Sequence, residues 1–267
     1  MKDKVVIITG GSSGIGKALA VEFGLRGSKV MVTGRNGFNL EKTVNELKSK
    51  GIDAIGFQGD VGIEDDNRRM AEKAIEQFGT IDVLINNAGI SMRALFQDVD
   101  VEVVQRVMAT NFYGMVFATK ACMAEIMRNK GSIVGISSVA GFRGLPGRTG
   151  YSASKFALNG FLEALRLELL PTGTNVLTAC PGFTSTNIRV RALTKDGATQ
   201  GASPREEGQM MSSEECAQYI YDATLRRKRT LVLTTQGKLT VFMNRWLPRL
   251  MDRIVFNFLA KEQNSPF

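Results

Sequence analysis

The sequence predicts an α/β protein built on a doubly wound parallel sheet, three layers deep, with helices on both faces. Three observations carry this. Short apolar runs rich in β-branched residues alternate with longer helical patterns along most of the chain. The first run leads through a glycine-rich turn into a helix, the start of a βαβ unit. No Pro/Ser-rich linker or internal repeat divides the 267 residues, so one domain spanning 1–267 is expected.

Taken in order, Val5 to Ile8 is continuously apolar, as suits a strand buried on both faces. The turn Thr9 to Gly16 precedes a helix from Lys17 to about Arg26, which Gly27 ends. Strands follow at Lys29–Thr33, Ala54–Gln58, Asp82–Ile85, Ser132–Ile136, Asn175–Ala179 and Thr230–Leu233. Between them, helices are read at Leu40–Lys50, Glu64–Phe78, one or two over Val101–Arg128, and Tyr151–Leu170. Two regions break the pattern. Thr184 to Ser213 is polar, carries Gly197, Gly201 and Gly208, and reads as a substrate lid. Lys238 to Lys261 begins an apolar and basic C-terminal extension over 238–267, in which Pro248 would kink or restart a helix.

Composition excludes several chemistries. Hydrophobic residues make up 43%, which argues against disorder. The chain has no histidine, so His-based triads and His metal sites are ruled out and no metal is expected. Cys122, Cys180 and Cys216 are dispersed and form no CxxC, which fits a reducing compartment. The apolar run Val5 to Ile8 is too short for a signal peptide, and a cytoplasmic location is expected. The net charge of +8 would suit an acidic partner, a phosphorylated cofactor, nucleic acid or an anionic membrane, and by itself selects none.

Gly10, Gly14 and Gly16 lie between the first strand and first helix, where backbone N–H groups and the helix dipole can receive a pyrophosphate. The spacing is G-x3-G-x-G, neither G-x-G-x-x-G nor a P-loop. An NAD site usually places an acid about 20 residues further on for the ribose 2′-hydroxyl. Here the second strand ends Thr33-Gly34-Arg35-Asn36, with no carboxylate and one guanidinium suited to phosphate. NADP(H) is therefore expected over NAD(H).

Tyr151 and Lys155 are four residues apart on one helix face, and Ser138 lies thirteen residues before the tyrosine. An ammonium beside a phenol favours phenolate and lowers a pKa that is otherwise near 10. Tyr151 thus becomes a candidate acid/base, with Ser138 to orient the reacting oxygen. Ser137 is the competing hydroxyl, and the spacing to Tyr151 favours Ser138.

These residues resemble the short-chain dehydrogenase/reductase family, whose Rossmann-like fold they imply. Five motifs occur in order: Thr9-Gly10-x3-Gly14-Ile15-Gly16, Asn86-Asn87-Ala88-Gly89, Asn111, Ser138 with Tyr151-x3-Lys155, and Pro181-Gly182 with Thr186. The resemblance implies that Tyr151 exchanges a proton with a carbonyl or alcohol oxygen, that Lys155 lowers its pKa and binds the nicotinamide ribose, and that Ser138 holds the substrate oxygen. Asn111 would hold a water linking Lys155 to solvent. Ser12, Ser13 and Ile15 of the glycine turn would line the cofactor, as would Asn87, Ala88, Gly89, Pro181, Gly182 and Thr184. Asp60 would meet the adenine amine with Val61 beside the ring, and Thr186 would fix the carboxamide. Many NADP-preferring relatives carry a basic residue just before Gly14; here it is Ser13.

The expected substrate is a medium or long apolar carbonyl or alcohol, lipid- or steroid-like. Ile188, Val190, Leu193, Met210 and Met211 of the lid, with Gly144, Leu145 and Pro146, are candidate walls. The alternatives are a 3-oxoacyl-carrier-protein reductase, which the charge would suit, and a non-catalytic NADP(H)-binding or redox-sensing module. A homodimer or homotetramer is implied through the Val101–Arg128 and Tyr151–Leu170 helices. Nucleic acid is not an expected partner, since no motif beyond basicity points to it. Arg245, Arg249 and Arg253 recur every four residues beside Leu247, Met251, Ile254 and Phe258, near Trp246. Such a basic amphipathic stretch can lie on a membrane, but packing on the domain or at a subunit interface is the favoured reading.

Overall fold

A computed structural model describes residues 1–204, 210–262 and 264–267. Seven parallel strands form one sheet: β1 (Val5–Ile8), β2 (Lys29–Gly34), β3 (Ala54–Gln58), β4 (Val83–Asn86), β5 (Ser132–Ile136), β6 (Asn175–Cys180) and β7 (Thr230–Val232). Their spatial order is β3-β2-β1-β4-β5-β6-β7. The order reverses between β1 and β4, which pair directly through Val6↔Val83 and Ile8↔Ile85. In such a Rossmann-like sheet the crevice at the carboxyl ends of the strands flanking the reversal is the natural ligand site.

The helices are α1 (Gly14–Leu25), α2 (Gly37–Ser49), α3 (Glu64–Phe78), α4 (Val101–Met108), α5 (Gly114–Arg128), α6 (Thr149–Glu168), α7 (Ser213–Leu225), α8 (Thr235–Trp246) and α9 (Pro248–Ala260). Side-chain alternation along the strands divides the core in two. On one face Val6, Ile8, Val32 and Ile85 pack with Leu19 and Phe23 of α1, Leu47 of α2 and Ile220 of α7. On the other, Ile7, Met31, Leu84 and Ile133 pack with Met70 of α3, Cys122 of α5 and Leu162 of α6. Both faces are covered, which is why the strands read as unbroken apolar runs.

Several expected boundaries shift. α1 starts at Gly14 rather than Lys17, because extended Ser13 ends the turn and the later glycines already belong to the helix. α2 starts at Gly37, where Asn36 accepts from the Asn39 N–H at 2.9 Å. α7 is a helix the sequence reading did not anticipate. Ser212 caps it by accepting from the Glu215 N–H at 3.0 Å, and Glu214 and Glu215 occupy its first turn. Pro248 does restart a helix, at the first turn of α9. Gly208, within the region expected as a lid, lies outside the described residues. No helix among the described residues is long and apolar enough to cross a membrane.

Candidate active site

The glycine turn leaves β1 at the sheet reversal. Gly10 has φ +64°, and a Cβ there would come within 2.9 Å of the Ala88 Cα. The two loops flanking the reversal therefore touch, and only glycine permits the approach. Asn87 staples them: its Nδ2 donates to the Thr9 carbonyl at 2.9 Å and to the Gly10 carbonyl at 3.1 Å. Thr9 completes the clasp by accepting from the Asn87 and Ala88 N–H groups at 3.0 and 3.1 Å. Thr9 was not among the expected site residues, although it opens the motif. Asn87 and Ala88 shape the cradle by holding its glycines.

The cradle fits a dinucleotide phosphate. The first turn of α1 carries no acidic residue, and the capping position Ser13 makes no side-chain cap bond, so the positive end of the helix dipole is uncompensated. Ser12 lies against Gly34, whose Cβ would come 3.1 Å from the Ser12 hydroxyl oxygen. Ile15 packs onto the core beneath the turn, and Thr186 lies 3.4 Å from a Cβ placed on Gly14, bringing the start of the 184–213 loop over the cradle. Arg35 is 62% exposed at the end of β2, with its guanidinium 3.6 Å from Asp60. Asp60 also accepts from the Gly62 N–H at 2.9 Å. Val61 packs against Gly114 rather than standing free.

The residues expected to transfer the proton converge at the carboxyl ends of β4 and β5. Ser138, two residues after β5, stands by the Tyr151 phenol, where its hydroxyl acts to lower the phenol pKa, and accepts from the Ala140 N–H at 3.1 Å. Ser137 is committed elsewhere, donating to Asn159 at 2.6 Å. Lys155, 4% exposed, donates from Nζ to the Ile136 carbonyl at 2.9 Å and sits 5.8 Å from the centre of the Tyr151 ring. Gly89 borders it: a Cβ there would lie 3.7 Å from Nζ and 3.3 Å from the Asn111 Oδ1. Asn111 lies in a π-helical turn at 109–113 between α4 and α5. Its side chain is fully engaged: it accepts from the Ile90 N–H at 2.8 Å and donates to the Ile90 carbonyl and to Ser154, each at 2.9 Å. The side chain thus ties the Gly89 loop to α6.

The electrostatics depart from the expectation. Burial raises the Tyr151 phenol above its ordinary range, and the groups that oppose this are the Ser138 hydrogen bond and the charges of Arg148 and Arg189. Lys155 does not lower it here, because burial pulls its own pKa down to about 8. Arg148 lies three residues before Tyr151, one helical turn away, a spacing that could have marked it. Arg189 sits in the 184–213 loop and donates to the Thr184 carbonyl at 2.9 Å; only the folded chain brings it near the phenol.

A base with a depressed pKa loses its charge as pH rises through that value. The kcat/KM for the reduced cofactor, which reports groups of the free enzyme, should therefore fall along a limb near pH 8. Lys155→Gln should lack that limb. A profile flat to the pH at which tyrosine ionises would contradict this assignment.

The residues expected as walls fall in different surroundings. Leu193 packs with Met92, Val103 and Val107 in a cluster that also holds Tyr151. Met211 packs against the sheet core and Leu145 under α9, so neither is a free lining. Gly182 abuts Thr234, which takes φ +61° at the cap of α8 and leaves no room for a Cβ at Gly182. The Pro181-Gly182 loop is thereby fixed to the C-terminal helices.

A family model for the short chain dehydrogenases matches residues 4–197. Dehydrogenase/reductase SDR family member 7B of Rattus norvegicus is 36% identical, over 99% of this chain and 84% of the rat protein. The "Uncharacterized oxidoreductase YxnA" of Bacillus subtilis (strain 168) is 34% identical, over 99% of this chain and 75% of that protein. Among solved structures, a short chain dehydrogenase/reductase from Burkholderia phymatum in complex with NAD superposes with TM-score 0.83 at 24% identity, covering 93% of this chain and 95% of that one. An alcohol dehydrogenase from Thermococcus sibiricus complexed with 5-hydroxy-NADP gives 0.77 at 24% identity, covering 86% and 95%. At that identity the two structures speak to the fold alone.

Proposed function

The chain belongs to the short-chain dehydrogenase/reductase family, NAD(P)-dependent oxidoreductases of carbonyl and CH–OH groups, and on that premise we propose an NADP(H)-dependent carbonyl reductase of medium or long apolar substrates. The observation that carries the chemistry is the gathering of Ser138, Tyr151 and buried Lys155, whose Nζ lies 5.8 Å from the Tyr151 ring, at the same sheet edge as the glycine cradle.

Gly10, Gly14 and Gly16 would receive the pyrophosphate, Arg35 the 2′-phosphate, and Lys155 the nicotinamide ribose. Bound there, the dinucleotide supplies the hydride. Ser138 and Tyr151 hold the carbonyl oxygen between two hydroxyls. As the carbon gains the hydride, Tyr151 gives its proton to the oxygen, yielding the alcohol and a phenolate. The raised phenol pKa keeps Tyr151 protonated until then, as a general acid requires. The Ser138 bond and the cationic Arg148 and Arg189 stabilise the phenolate until solvent returns the proton.

Arg35, with no carboxylate at the end of β2, supports NADP(H). Arg35→Ala should lower the preference for NADPH over NADH by roughly 10–100-fold, the value of one or two charge-assisted bonds. Comparing kcat/KM for the two cofactors over a ketone panel tests both parts of the proposal; an unchanged ratio would remove Arg35 from the phosphate site. The apolar cluster around Tyr151 supports an apolar substrate. The net charge of +8 favours a second reading, a 3-oxoacyl-carrier-protein reductase, which turnover of a short 3-oxoacyl thioester would distinguish. A non-catalytic NADP(H)-binding or redox-sensing module is disfavoured, since the chain keeps both Tyr151 and Lys155, and burial pushes the thiols of Cys122, Cys180 and Cys216 up to about 12. For assembly, exposed Tyr113, Phe156 and Leu167 along the segment from the π turn through α6 support a homodimer or homotetramer.

A further inference from the structure

The C-terminal helix pair is only half covered. α9 buries Met251, Val255 and Leu259 against Leu145 and Met243. Beside that stripe, Leu250 and Ile254 remain 46 and 43% exposed. On α8, Leu239, Phe242 and Trp246 recur at i, i+3 and i+7, a single face, and are 55, 65 and 66% exposed. Leu247 joins the two stripes at the turn between the helices and is half exposed. Apolar side chains so aligned and so open, on two helices that adjoin at Leu247, are of the kind that marks an interaction surface.

The unpaired charge around the patch among the described residues has one sign. Lys238, Arg245, Arg249, Arg253 and Lys261 are all exposed, and among the described residues none of them enters an ion pair. The nearby acids are already engaged: Asp252 by Arg143, and buried Glu262 by Arg148 at 3.0 Å and Arg93 at 3.5 Å. Arg245 lies over the Trp246 ring at 5.8 Å, an aromatic and a cation presented together.

We propose that α8 and α9 form a docking surface for an anionic lipid bilayer. The apolar stripes enter the headgroup boundary and the five cations meet lipid phosphate and carboxylate groups. Tryptophan and phenylalanine suit that depth, and the long basic side chains reach outward to the headgroups. Helices of 12 and 13 residues lie along the interface and do not cross it. The charge separates this occupant from a second copy of the chain: a two-fold contact through the patch would set five cations against five, with no free acid of the patch between them among the described residues.

The surface is rigidly joined to the candidate active site. Arg143 donates to Asn244 of α8 at 3.0 Å, and Asn244 donates to the Phe142 carbonyl at 2.9 Å. Phe258 of α9 lies 6.1 Å from Phe183, directly after Pro181-Gly182. Docking through α8 and α9 therefore holds the loop between Ser138 and Tyr151 at the bilayer, where an apolar substrate is dissolved.

Trp246 is the sole tryptophan and reports on the patch directly. The full chain is mixed with phosphatidylcholine vesicles, with and without roughly one-third phosphatidylserine, and floated on a density gradient. Expected are a blue shift of Trp246 emission and a bound fraction at least about tenfold higher on the anionic vesicles, falling as salt rises. Phe242→Asp with Leu250→Asp, and separately Arg245→Glu with Arg249→Glu and Arg253→Glu, should each abolish flotation while thermal unfolding stays cooperative. Failure of the unaltered chain to float with anionic vesicles would overturn the proposal. So would emission already blue without vesicles, with Phe242→Asp splitting an oligomer, since a second copy would then cover the patch. Neither result depends on turnover, so the assigned reaction stands or falls separately.

Discussion

Tyr151→Phe should lower kcat for carbonyl reduction by roughly 10²–10⁴-fold, the contribution of a positioned general acid, while leaving cofactor affinity nearly unchanged. The substitution removes one oxygen and keeps the ring. The ring's packing with Met92, Val103, Val107 and Leu193 is retained, so the fold should hold. Lys155 keeps its bond to the Ile136 carbonyl, and the glycine cradle is untouched. What disappears is the proton source beside Ser138. Steady-state kinetics with a ketone and NADPH, paired with a cofactor titration, separate the two effects. Retained turnover in Tyr151→Phe would place the proton donor elsewhere, and loss of cofactor binding would make the residue structural.

Gly16→Ala should have the other large effect, on cofactor affinity and stability together. A Cβ at Gly16 would overlap the Gly10 carbonyl oxygen and the Asn87 Nδ2. Neither can yield cheaply. Gly10 is backbone at φ +64° pressed against Ala88, and Asn87 holds that carbonyl at 3.1 Å. The helix must shift or the clasp must open, at a cost of about 1–3 kcal/mol for an overpacked site. Opening the clasp also misdirects the N–H groups of the turn, so cofactor Kd should rise at least roughly tenfold. Thermal unfolding and a cofactor titration check both parts. An unaltered Kd would mean that the turn does not contact the cofactor.

How much of this was legible in the chain depends on how local each cause is. The strands were readable because both sheet faces are covered, leaving unbroken runs such as Val5 to Ile8. The pairing of Gly10 with the Asn87 loop was legible only through the order of motifs, since the clasp joins residues 77 apart. α7 had a readable capping signal in Ser212 and Glu215, but the polar stretch before it masked the change to helical spacing. Charge was the least readable. Spacing placed Lys155 beside Tyr151, yet the surrounding protein lowers the lysine and raises the phenol, and the compensating cations come from Arg148 and Arg189. The tail followed no local rule either: Glu262 meets Arg148 across 114 residues.

Deuterium transfer tests the central account most directly. NADPH carrying deuterium at nicotinamide C4, on the face from which the hydride leaves, is given to the enzyme with an apolar ketone, and the alcohol is analysed by mass. The account predicts one deuterium on the carbinol carbon for each cofactor oxidised, with the hydroxyl proton coming from solvent by way of Tyr151, and a rate that collapses in Tyr151→Phe. Cofactor that binds without ever labelling an alcohol, or labelling that proceeds undiminished in Tyr151→Phe, would contradict it.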